Sequence, residues 1–127
     1  MIDKTKTLTI EGLDEQCVSL VGCLNKIDGV ETVESCCGHL KDLYRIWFRC
    51  NDFSVLARLS RSVDRQYSDG FWRIEVCSSD VKPLCQFLLS STRVFCSYRE
   101  MEESLAFLIE NIGHWQGEEF DGYFSDN

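Results

Sequence analysis

Five consecutive residues, Ser35-Cys36-Cys37-Gly38-His39, gather side chains that can do chemistry within this 127-residue chain. Thiolate sulfur and imidazole nitrogen are both zinc ligands, and both serve in nucleophilic catalysis. Cys37 and His39 lie two apart, so in extended backbone they point the same way. With Cys36 or a distant thiol they begin a zinc or iron site. They fall short of the four ligands that a structural zinc takes, and no Cys-x-x-Cys or paired histidines elsewhere complete the set. A second reading makes the thiol a nucleophile whose pKa His39 lowers, with no orienting carboxylate assignable from the sequence. A third is ligand binding through backbone amides at Ser35 and Gly38. The plainest is a tight hairpin in which Gly38 takes a positive φ and the cysteines are small apolar fillers. Adjacent cysteines do not readily bond to each other, because the small ring strains the peptide.

A second constellation follows from period-2 alternation. In segment 43–50, Tyr44, Ile46, Phe48 and Cys50 share one side, while Arg45, Trp47 and Arg49 share the other. In segment 71–77, Trp72, Ile74 and Val76 suit a core, which places Phe71, Arg73 and Glu75 opposite. Aromatics among arginines on an open sheet are how RNA-recognition modules stack single-stranded bases. The expected ligand-binding set is therefore Ser35, Gly38, Arg45, Trp47, Arg49 and Arg73. The competing expectation buries these aromatics under a helix and pairs the arginines with Glu31, Glu34 or Glu75. Arg58, Arg61 and Arg65 also align, on the polar side of a helix, where a solvated face is the ordinary outcome.

The elements that would position these residues can be read in order. Thr5 to Ile10 alternates as a strand, Gly12 ends it, and Asp14 can cap a helix running to about Asp28, which Gly29 stops. Val30 to Cys36 and Leu43 to Cys50 read as strands. Asn51 then caps a helix with Phe53, Leu56, Leu59 and Val63 on one face, and the turn Ser68-Asp69-Gly70 leads to a strand over 71–77. That order, β-α-β-β-α-β, predicts an α+β ferredoxin-like two-layer sandwich with two helices on one face of a four-stranded antiparallel sheet. A C-terminal extension adds a strand from Leu84 to Ser91. Ser97-x-x-Glu100 then forms a capping box before a helix lined by Met101, Leu105, Leu108 and Ile112. That third stripe needs a place to be buried. The open sheet face, the edge of the helical layer and a second subunit in a homodimer are the three options.

Thirteen Lys+Arg against 21 Asp+Glu give a net charge of −8, which disfavours a general nucleic-acid coat or docking on an anionic membrane. Four of those acids and no bases fall in residues 117–127, read as an acidic, mobile tail behind a single domain over 1–116, so the domain itself carries about −4. No apolar run approaches the roughly 20 residues of a membrane span. The N-terminus lacks the apolar core of a signal peptide, so a cytoplasmic setting is expected, in which the eight cysteines are reduced.

Two resemblances bear on this reading. Ile10-Glu11-Gly12, Cys17-Val18, Leu24-Asn25-Lys26-Ile27 and Gly29-Val30 resemble the opening βαβ of heavy-metal-associated, copper-chaperone-type domains, which implies the ferredoxin-like fold. The family's metal-binding Cys-x-x-Cys is replaced here by Leu13-Asp14-Glu15-Gln16-Cys17, with one thiol, so the resemblance carries the fold and not the copper chemistry. Ser35, Cys36 and Gly38 also resemble the Ser-Cys-Ser-Gly-Arg motif of the wybutosine-synthesising tRNA methyltransferase family. Cys37 and His39 replace the second Ser and the Arg, and what this implies is an ancestry linked to tRNA or S-adenosylmethionine. The expected function is a small, non-catalytic binding module for single-stranded nucleic acid, a nucleotide-like small molecule or another protein. The alternatives are a metal- or thiol-dependent site at Cys36, Cys37 and His39, with zinc the first metal, and a structural homodimer through the third helix.

Overall fold

The structure, a computed structural model, describes residues 13–66, 69–77 and 86–116. The expected strand at 5–10, the tail at 117–127 and Cys85 lie outside the described residues. A 3-10 turn, Glu15–Cys17, leads into helix α1, Val18–Asn25. The expected continuous helix from Asp14 is thus broken at its start. The side chain of Asp14 caps nothing locally; its Oδ2 instead accepts the backbone N–H of Cys37 at 2.9 Å. Gly29, at φ +91°, turns the chain into strand β1, Val30–Cys36.

β1 pairs antiparallel with β2, Arg45–Cys50, and a bulge between Thr32 and Glu34 leaves Val33 without a partner on β2. Helix α2, Phe53–Val63, is capped by Asp52 rather than Asn51, through bonds from Ser54 N–H at 2.9 Å and Val55 N–H at 3.4 Å. Its buried stripe is Val55, Leu59, Ser62 and Val63. Phe53, expected on that stripe, is the first helical residue and stands 89% exposed. Strands β3, Trp72–Cys77, and β4, Gln86–Ser91, complete a four-stranded antiparallel sheet in the order β1-β2-β4-β3. β4 therefore occupies the slot between β2 and β3 that a β-α-β-β-α-β chain gives to its first strand.

Helix α3, Tyr98–Trp115, begins at the expected cap: Ser97 Oγ accepts Glu100 N–H at 3.1 Å, and Glu100 Oε1 accepts the N–H of Cys96 at 2.8 Å. Its stripe of Met101, Leu105, Leu108 and Ile112 is buried in one cluster with Leu20 and Leu24 of α1, Leu59 of α2, and Ile46, Phe48, Trp72 and Leu89 of the sheet. Two polar bonds fix its position, one from β3 and one to α2. Trp72 Nε1–H donates to Ser104 Oγ at 2.9 Å, and Asn111 Nδ2 donates to the Ser62 carbonyl at 2.7 Å. The three described helices thus share one face of the sheet, and of the three places open to the α3 stripe it takes the one beside the helical layer. No described helix is long and apolar enough to cross a membrane.

The core side also claims Phe71, expected on the opposite face. It stacks on Phe95 at 6.1 Å, next to a Trp72–Phe95 contact at 5.8 Å and an edge-on Tyr44–Trp72 pair at 5.2 Å. The Arg93 guanidinium sits 4.2 Å from the Phe71 ring and covers its exposed side.

Candidate functional site

The loop after β1 turns through three successive left-handed residues, Gly38 at φ +82°, His39 at +53° and Leu40 at +64°. Glycine alone fits the first: a Cβ there would stand 2.8 Å from the Leu43 carbonyl oxygen. The Gly38 carbonyl closes the turn by accepting Lys41 N–H at 2.9 Å and Asp42 N–H at 3.0 Å. Left-handed backbone costs a non-glycine residue about 1–2 kcal/mol, so His39 and Leu40 are held there by their surroundings.

Asp14 is the residue that ties this loop down. Besides the Cys37 N–H, its Oδ2 lies 3.5 Å from His39 Nε2. The other ring nitrogen, Nδ1, is 3.6 Å from Cys37 Sγ, which also reaches Gln16 Oε1 at 3.9 Å. Gly38 N–H donates to Cys36 Sγ at 3.4 Å. Donor atoms of Asp14, Cys36 and His39 all lie within 4.8 Å of one another. Cys36 is half-buried and His39 exposed, whereas Cys37 is 1% exposed.

Cys37 is covered, and burial pushes its thiol up from its ordinary value, with the lowering hydrogen bond from the His39 backbone the smaller effect. Cys17, behind it, is pushed up to about 11 by burial as well. The turn that carries Asp14 is held against β2 by Tyr44, whose hydroxyl donates to the Gln16 carbonyl at 2.8 Å.

The sheet register assembles the second constellation on the side away from the helices. Cys36, Arg45, Ser90 and Arg73 form one rung across the four strands, and Glu34, Trp47, Leu88 and Glu75 form another. Glu31 and Arg49 face each other on β1 and β2. Each arginine has a carboxylate neighbour: Arg45 to Asp42 at 2.6 Å, Arg49 to Glu31 at 3.6 Å and Arg73 to Glu75 at 3.2 Å. Their side chains remain 31%, 37% and 51% exposed, where such pairs are worth about 0–1 kcal/mol. The Arg45 guanidinium lies 5.8 Å from the Trp47 ring centre, and Trp47 is half-buried. Nε of Arg45 and Nε of Arg49, which flank Trp47 along the strand, are shielded from solvent and have no hydrogen-bond partner among the described residues.

The structure therefore brings Arg45, Trp47, Arg49 and Arg73 together and places Cys36 on their rim, while Gly38 and His39 belong to the loop anchored by Asp14. Ser35 pairs with Ile46, so it faces the helices and not the arginines. Of the aligned arginines on α2, Arg61 lies 5.4 Å from the Trp115 ring, a packing contact rather than a free basic stripe. Asp14 was legible only as a helix cap; nothing in the spacing of residues 14, 36 and 39 signals that they meet. Asp42 had a weak signal, as an acid at i−3 to Arg45 in the turn before a strand.

Compared with protein-family models, with curated proteins and with solved structures, the chain finds no match. The class that its architecture defines is an α+β chain with a four-stranded antiparallel sheet, three helices on one face, and seven described cysteines, all free thiols.

Proposed function

We propose that this protein is a small binding module and that its ligand, a single-stranded nucleic acid or nucleotide-like molecule, stacks a base on Trp47 between Arg45, Arg49 and Arg73. The observation that supports this reading is the position of α3. It is tied to β3 through Ser104 and to α2 through Asn111 and shares the core cluster, so no described helix lies over the arginines and Trp47. A half-exposed indole gives a base its stacking partner, worth about 1–3 kcal/mol per base. The partly exposed guanidinium groups give phosphate or carbonyl oxygens charged N–H donors. The exposed carboxylate pairs hold the guanidinium groups in place until a ligand anion exchanges with them. The proposal extends to the fold, a ferredoxin-like arrangement in permuted order with β4 in the first strand's slot, and to a reducing cytoplasm, where the cysteines stay thiols.

Titrating the full chain with a short single-stranded oligonucleotide tests this. Trp72 is buried, so the expected signal is quenching of Trp47, lost in Trp47→Phe and retained in Trp115→Phe. Three arginine contacts predict a slope of about −2 for log affinity against log salt concentration. Quenching that survives Trp47→Phe, or no quenching by oligonucleotide or mononucleotide, excludes base stacking at this face.

A further inference from the structure

The geometry points to a second site, distinct from the arginine face: a divalent zinc-type metal site formed by Asp14 carboxylate oxygen, Cys36 sulfur and His39 imidazole nitrogen, with the fourth position left for water. The ligand types are those that zinc takes, and three protein ligands with one open position is the pattern of its non-structural sites. A tetrahedral zinc with bonds of about 2.0–2.3 Å holds its ligand atoms roughly 3.3–3.8 Å apart. His39 Nε2 and Asp14 Oδ2 already stand 3.5 Å apart, too far for a strong hydrogen bond and at the span of one edge of such a tetrahedron. All three donors fall within 4.8 Å, and Cys36 is the one that must close in.

The surroundings orient each ligand. Cys37 N–H holds the Asp14 carboxylate at 2.9 Å, Cys37 Sγ lies 3.6 Å from the ring nitrogen of His39 that faces away from Asp14, and Gly38 N–H donates to Cys36 Sγ at 3.4 Å. Such outer contacts fix ligand direction and tautomer at metal sites. The left-handed backbone of His39 and Leu40 gives a further reason: an extended loop would carry the imidazole away from Asp14, and the turn returns it. Cys37 is then an orienting residue, not a ligand. The site depends on donors from two segments that sequence spacing does not link, and it stands whether or not the arginine face binds nucleic acid.

Adding Co²⁺ to the reduced, metal-stripped full chain tests the assignment. One equivalent is expected to produce a thiolate-to-cobalt charge-transfer band, with visible bands of a four-coordinate ion, and one equivalent of Zn²⁺ is expected to abolish both. Cys36→Ser removes the charge-transfer band while leaving the urea midpoint of the metal-free protein unchanged. Asp14→Asn and His39→Gln each weaken Co²⁺ binding at least tenfold, and Cys37→Ser retains the band. No band at one equivalent, a band that survives Cys36→Ser, or a band that requires Cys37 overturns the site.

Discussion

Strand β2 has two sides that obey different rules. Ile46, Phe48 and Cys50 point at the helices and are at most 8% exposed, whereas Arg45, Trp47 and Arg49 alternate with them on the far side and stay half-buried. On the helix side Trp72 Nε1–H finds Ser104, and the Tyr44 hydroxyl finds the Gln16 carbonyl. On the far side Arg45 and Arg49 each keep an Nε without a partner among the described residues. Packing requirements explain the first set completely, because each group there fills volume or completes a bond. They do not explain why a tryptophan stands between two incompletely satisfied arginines on a face that no described helix covers. That difference is the ground on which a binding role is proposed for the far side.

The comparison is broken most easily at the core. Trp72→Ala removes the ring that joins Tyr44, Phe95 and Ser104, and is expected to cost about 3–5 kcal/mol in urea unfolding. Trp47→Ala, the same substitution on the opposite, half-buried side of the sheet, is expected to cost only about 1 kcal/mol and to act mainly on binding. Equal losses from the two tryptophans would show that the far side is a second core.

Between these extremes lies the loop. Gly38→Ala combines a positive φ with a Cβ 2.8 Å from a backbone oxygen, and is expected to cost about 1–3 kcal/mol. Because the same turn aims His39 at Asp14, Co²⁺ affinity should fall with it, while oligonucleotide quenching at Trp47 should not.

The smallest effect is a pH dependence confined to the helix side. Cys17 ionises at an ordinary value near 9.0, and burial moves it to about 11 in the fold. As pH rises the unfolded chain releases this proton first, so stability is full below pH 9.0 and is lost between there and about 11. Tyr44 is displaced upward for the same reason and adds to the loss. The urea midpoint should fall across that window, and Cys17→Ala should reduce the slope. No such dependence is expected from exchanging residues on the arginine face.

Local elements were legible wherever one short-range interaction dominates. The capping box at Ser97, the stripe of α3 and the alternation of β2 all appeared as read, whereas the first helix ends at Asn25, short of the Gly29 stop. The departures share a cause. Asp14 fails as a cap because Cys37, far along the chain, takes its carboxylate, and Phe71 leaves the arginine face because Phe95 and Arg93 compete for its ring. In each case a contact absent from the local sequence outweighs a preference worth about 1 kcal/mol or less.

The sequence by itself determined which side chains share a strand side or a helix face, because periods of 2 and 3.6 follow from backbone geometry alone. It also determined that Gly38 marks a turn, and the seven described cysteines are free thiols, in keeping with its other features. Only the tertiary structure decided which side of the sheet the third helix covers and that β4 fills the central slot. It alone decided that Asp14 meets Cys36 and His39. These are outcomes of how separate amphipathic faces divide one core, and no period within a single element encodes that division.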